Sequence, residues 1–161
     1  MRATAALWSL CLASSVLAGE PEWIGRKVPP YPNGLVSNLG ACVGSGTKPD
    51  EICAYSIGTL DDAKGRTLHL FAGRAAGHVG QQARWTITDV IAWPVLRHNE
   101  YVSIATCERE GVPDAGVVAV VDTLGTGEMY ETVRWAVRLD RGKFVEIPTA
   151  GIRCYNEGYG E

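Results

Sequence analysis

Residues 130–147 read YETVRWAVRLDRGKFVEI, and this stretch decides the fold class. Val133, Trp135, Val137 and Leu139 recur at every second position, with Thr132, Arg134 and Arg138 between them. A period of two is the signature of a half-buried strand, because successive side chains leave opposite faces. Asp140-Arg141-Gly142 then supplies a tight turn with Gly where positive φ is needed, and Phe144 to Ile147 returns as the partner strand. One polar face on each strand implies antiparallel pairing.

Working outward, the same grammar repeats. Gly116 to Asp122 reads GVVAVVD, apolar on both faces, as a central strand requires. Ile52 to Ile57, Arg66 to Ala72, Arg84 to Trp93, Tyr101 to Glu108 and Ile152 to Tyr155 read as further strands, with turn residues between them. Gly58 to Gly65 reads as a turn, Gly73 to Gln82 as a glycine-rich loop, and Pro148 to Gly151 as another turn. In the segment Arg84 to Trp93 the evenly spaced Trp85, Ile87, Ile91 and Trp93 share a face with Asp89. A carboxylate in that company is costly unless paired, so a bulge or strand end is expected near Thr88–Asp89. The expected fold is all-β, an antiparallel sandwich or partly open barrel of about eight short strands. The alternative is α+β with one antiparallel sheet, if Ala75–Arg84 or Asp61–Gly65 is helical.

Residues 1–18 stand apart. Arg2 is followed by an apolar run and ends in Val16-Leu17-Ala18, the pattern of a secretory signal peptide cleaved after Ala18. The run is too short for a permanent bilayer span of about 20 residues, so no membrane anchor is expected after cleavage. Residues 19–51 are rich in Pro and Gly and read as an irregular arm, extended as polyproline II at Pro29-Pro30-Tyr31-Pro32. Trp23 and Tyr31 are the side chains available to pin the arm to the β domain of residues 52–161, arm and domain forming a single unit. The expected location is secreted or periplasmic.

The chain has five cysteines. Cys11 lies in the leader, which leaves Cys42, Cys53, Cys107 and Cys154. An even set in an exported chain reads as two disulfides. Three pairings exist; Cys42–Cys53 and Cys107–Cys154 are favoured, the first closing a short Gly-rich loop and the second tying the last strand to a middle one. No Cys-x2-Cys or His-x3-His spacing occurs, so no metal and no cofactor are expected.

The net charge is −3, from 15 basic and 18 acidic residues, with no basic run. That disfavours a nucleic-acid partner, which requires a Lys/Arg patch. Catalytic motifs are incomplete. Asp122-Thr123-Leu124-Gly125 departs from the Asp-Thr-Gly of aspartic proteases by an inserted Leu, and it reads as a turn capped by Asp122. Gly44-Ser45-Gly46-Thr47-Lys48 lacks phosphate-loop spacing. No Gly-x-Ser-x-Gly occurs. The acids near strand ends are placed as solvated turn residues are.

The chain therefore reads as an exported, non-enzymatic binding protein, with another protein of the envelope or extracellular space as partner, in an inhibitor or immunity role. The residues nominated for contact are His78 and Gln81 in the glycine-rich segment, and Tyr155, Asn156 and Tyr159 near the C-terminal end. The alternatives are a small hydrolase acting on envelope or extracellular polymers, which needs an acid such as Asp89 beside a His, and a carbohydrate-binding module, which needs coplanar exposed aromatics.

Overall fold

A computed structural model describes residues 22–44 and 47–160. The expected leader lies outside the described residues. The fold is all-β, built from three antiparallel sheets. The five-stranded sheet takes β1 (Lys27–Val28), β2 (Gly40–Val43), β3 (Tyr55–Asp61), β4 (Thr67–Val79) and β5 (Gln82–Ala92), in the order β1-β5-β4-β3-β2. The chain then enters the middle sheet with β6 (Glu100–Ile104), leaves it for β7 (Cys107–Arg109) and β8 (Val112–Pro113), and returns with β9 (Val117–Asp122). After β10 (Met129–Tyr130) come β11 (Val133–Asp140), β12 (Lys143–Glu146) and β13 (Ile152–Tyr155). The middle sheet is ordered β12-β11-β9-β6, and the outer one β10-β13-β7-β8.

Two cores explain the layering. Ile57, Leu70, Ala72 and Ile91 of the five-stranded sheet meet Val118, Val120, Val137 and Leu139 of the middle sheet. Val117, Ala119, Val121 and Ala136, on the other face of that middle sheet, meet Cys107, Ile152 and Cys154 of the outer sheet. β9 is thus buried on both faces, which is why its sequence shows no polar alternation. A third cluster covers the remaining face of the five-stranded sheet, where Trp23, Val28, Tyr31 and Leu35 pack on Phe71, Ile87 and Val90. Trp23 and Tyr31 do pin this segment: Trp23 meets the His69 ring edge-on at 4.8 Å, and Tyr31 meets Phe71 at 6.3 Å.

The turn at Asp140-Arg141-Gly142 forms as expected, with φ of 45° at Arg141 and 84° at Gly142, the two positive values of a type I′ turn. Both disulfides pair as favoured. The bulge expected near Thr88–Asp89 is present: Asp89 pairs with Ala72 and Ile87 with Gly73, which leaves Thr88 as the extra residue. Because side chains alternate, one inserted residue moves the rest of a strand to the other face. Trp85 and Ile87 therefore face the N-terminal segment, whereas Ile91 and Trp93 face the sandwich core, and the four do not share a face. β11 behaves alike: a register shift between Val133 and Trp135 sends Val133 to the outer core and Trp135 to the inner one.

Other boundaries differ from the sequence reading. The 19–51 segment is not wholly irregular: β1 and β2 both join the five-stranded sheet, and Val36 bridges Asp61. Its prolines do not form a polyproline II run; Val28–Pro29 and Pro29–Pro30 are cis peptides, and Pro32–Gly34 makes a 3-10 turn. Pro49–Ile52 is a single helical turn, so the strand expected from Ile52 begins at Tyr55. It then runs through Asp61, and the turn shrinks to Asp62–Arg66, where the Asp62 carboxylate accepts the N–H groups of Lys64 and Arg66. The strand expected over Tyr101–Glu108 is two strands, interrupted at Ala105 with φ of 62°, a conformation incompatible with a continuing strand. That break carries the chain from the middle to the outer sheet. The segments whose helicity would have made the fold α+β are strand and turn.

Candidate functional site

The largest departure from the sequence reading is also the most conspicuous surface feature. Gly73 to Gln82 is no loop; it is the tip of the β4–β5 hairpin. β4 has 13 residues and β5 has 11, while β3 reaches only to Tyr55, opposite Arg74. Ala54 still accepts the Ala75 N–H at 3.0 Å. Past that point the hairpin continues as a two-stranded ribbon. Ala75 pairs with Trp85 and His78 with Ala83, so Ala76 and Gly77 together oppose Arg84 in a second bulge, with Gly77 at φ 87°. Gly80 turns the ribbon at φ 60°. Gly and Ala have weak intrinsic strand preference, but cross-strand pairing overrides it here.

The ribbon's tip is exposed from His78 to Gln82, and Val79 keeps 57% of its surface. At its root lies a cavity of about 480 Å³, bordered by the Cys42–Cys53 disulfide, Ala75, Ala83, His78 and the half-buried Trp85. Arg84 also borders it, and its Nε is buried with no hydrogen-bond partner. The site thus combines an apolar floor with an exposed tip.

The nominated residues fall in two places. His78 and Gln81 sit on the ribbon. Tyr155, Asn156 and Tyr159 belong to the outer sheet and the residues after it. Asn156 is a framework residue there: its Oδ1 accepts the Tyr130 hydroxyl at 2.8 Å, and its Nδ2 donates to the Gly127 carbonyl at 3.0 Å. Tyr155 and Tyr159 are 43% and 57% exposed. On the nearby edge of the middle sheet, burial and then the Glu157 carboxylate push the Tyr101 phenol above its ordinary value. Sequence reading placed Trp85 and Arg84 in a core strand; only the length of the hairpin beyond β3 reveals them as site residues.

The groups weighed for catalysis have other employment. The Asp89 carboxylate accepts the Phe144 N–H at 2.8 Å, with the Lys143 ammonium 3.7 Å away. Asp122 caps the turn that follows it, accepting the Leu124 N–H at 2.8 Å. A cleft of about 570 Å³ between the sheets is lined by Arg109, Asp114 and Arg138, and both arginines engage the one carboxylate: Arg138 bonds Asp114 at 2.8 Å and Arg109 lies at 3.7 Å. No group of three or more His, Cys, Asp or Glu among the described residues is placed to hold a metal ion. No protein-family model matches the chain, no curated protein matches it, and no solved structure matches it.

Proposed function

We propose that this chain is an exported, non-enzymatic binding protein that engages another protein of the envelope or extracellular space, in an inhibitor or immunity role, through the β4–β5 ribbon. The observation that carries the reading is the ribbon's continuation past the end of β3. A two-stranded hairpin gains little stability alone, and this one holds an exposed Val79 and a solvent-facing tip. A partner's cleft or sheet edge would use those residues. Export is supported by the leader-like residues 1–18 and by two disulfides, bonds that persist in oxidising compartments. Among the described residues no helix is long and apolar enough to cross a membrane.

The test is affinity capture from the native exported fraction with two baits, followed by binary binding with the purified candidate. One bait is the mature chain; in the other, Gly77–Ala83 is replaced by Asn-Gly, which keeps the Ala75–Trp85 pairing. A protein that binds the first bait tightly and the second at least ~tenfold more weakly supports the reading. Equal binding by both baits, or turnover of a polymer substrate by the pure chain, overturns it.

A further inference from the structure

The 26 positions from Ala63 to Thr88 contain no Asp or Glu, in a chain whose net charge is −3. They hold Lys64, Arg66, Arg74 and Arg84. Arg66 is paired with Asp62 at 2.7 Å. Arg74 and Arg84 have no ion-pair partner among the described residues, and neither has Lys27 on β1.

Register gathers these three. Thr86 of β5 lies opposite Lys27 on one side and Arg74 on the other. Residues paired across antiparallel strands share a face, so Lys27 and Arg74 flank Thr86 with their backbones about 10 Å apart. Arg84 is two residues along β5, on the same side of the pleat by alternation. The result is a triangle of cations at the root of the ribbon with no acid among them. Surface arginines in most of this fold do have acids: Arg134 with Glu100, Arg138 with Asp114, Arg153 with Glu108. The Nε of Arg84 is buried without a hydrogen-bond partner among the described residues.

The backbone beside this triangle says what kind of acceptor. β1 pairs with β5 at Lys27–Val28, Gly25 and Arg26 bond Ile87 just before them, and toward the ribbon tip the register ends at Val28 opposite Trp85. Pro29 and Pro30 have no N–H and cannot extend it. On the side of β5 away from β4, no strand among the described residues runs alongside Gln82–Arg84, so that edge is open. An open strand edge is satisfied by an extended polypeptide, which brings its own alternating N–H and C=O groups; a glycan or a lipid headgroup does not.

We infer that the edge of β5 at Gln82–Arg84, together with Lys27, Arg74 and Arg84, is a docking site for an extended acidic segment of a partner protein. The segment adds as a strand where β1 stops, and its Asp or Glu side chains pair with the three cations. This inference rests on the protein-binding reading above and names the chemistry of the partner.

The probe is a fluorescent peptide of alternating Glu and Thr, titrated by anisotropy against the mature chain. Saturable binding is expected, at least ~tenfold weaker at high salt, as for exposed ion pairs. A peptide with Gln in place of Glu, or one N-methylated at alternate residues, should bind at least ~tenfold more weakly. The R84Q and R74Q variants should each weaken binding of the Glu peptide. The R74E/R84E variant should take a Lys-Thr peptide that the native chain ignores, a gain that a misfolded variant cannot show. Equal affinity for the Gln peptide, indifference to R84Q, or preference for heparin or phosphatidylglycerol vesicles over the Glu peptide overturns the inference. If the ribbon-shortened bait loses its protein while the Glu peptide does not bind, this inference falls and the broader reading stands. If both experiments fail, both fall.

Discussion

The Asp89 carboxylate accepts the backbone N–H of Phe144 at 2.8 Å, so an acid of the five-stranded sheet completes the hydrogen bonding of the middle sheet. It sits immediately after the bulge at Thr88, with only 13% of its side chain exposed, and Lys143 closes the outer side at 3.7 Å. The Asp89→Ala variant strands a half-buried donor and removes an inter-sheet tie. Urea unfolding should show a loss of about 1–3 kcal/mol. Asp89→Asn, which keeps an acceptor, should lose less. Equal losses in the two variants would mean that charge, not the Phe144 bond, is what matters.

Glu100 and Arg134 form the other informative pair. Arg134 donates to both Glu100 oxygens, at 2.6 and 2.8 Å, and the Arg97 N–H adds a bond at 2.7 Å. These contacts, Arg134 first, lower the carboxyl from its ordinary 4.5 to about 2. A depressed folded-state value means the pair stabilises fully above the unfolded-state value, and that contribution is lost as pH falls from about 4.5 through 2. Denaturation midpoints measured across this window should fall less steeply in Glu100→Gln than in the native chain. Parallel curves would sink the assignment.

What sequence could show of this fold follows from which features are local. The Asp140–Gly142 turn and the cysteine pairing rest on residue types at fixed offsets, and both were legible. The both-face apolar run at Val117–Asp122 announced a central strand before its two cores were known. The bulge at Thr88 was legible because an acid had fallen into an apolar register. The matching irregularity at Arg134 carried no such misfit, and Val133 was assigned to the wrong face. Ala105 gives no local warning of its left-handed backbone. The ribbon was missed because GRAAGHVGQQ has loop composition, and its strands are made by pairing rather than by propensity. His78 and Gln81 stood out as polar residues of a presumed loop, while Arg84 and Trp85 were hidden in a strand pattern.

Gly58 tests the third cluster. A Cβ built there would overlap the ring of Phe71, which is 2% exposed and held between the sheet and Tyr31. The ring must shift to admit a methyl group, so Gly58→Ala should destabilise by about 1–3 kcal/mol through overpacking. Adding Phe71→Leu should recover part of that loss, because the smaller side chain clears the new methyl group. A double variant no more stable than the single one would show that the collision is not the cause.

The two disulfides should part company under reduction. Cys42 is exposed at the sheet edge and Cys53 is half-buried, whereas Cys107 and Cys154 are 2% and 0% exposed between two sheets. Attack by a thiolate needs access to sulfur, so mild reductant followed by alkylation and mass mapping should label Cys42 and Cys53 first. The stability order is the reverse of the order of access. Loop-closure entropy assigns about 3 kcal/mol to a bridge spanning 11 residues and about 4 kcal/mol to one spanning 47, and the inner pair also packs in a core. Cys107→Ser/Cys154→Ser should therefore lower the unfolding midpoint more than Cys42→Ser/Cys53→Ser. If the Cys42–Cys53 pair proves the costlier to lose, β2 and the turn before β3 carry more of the fold's stability than their exposure allows.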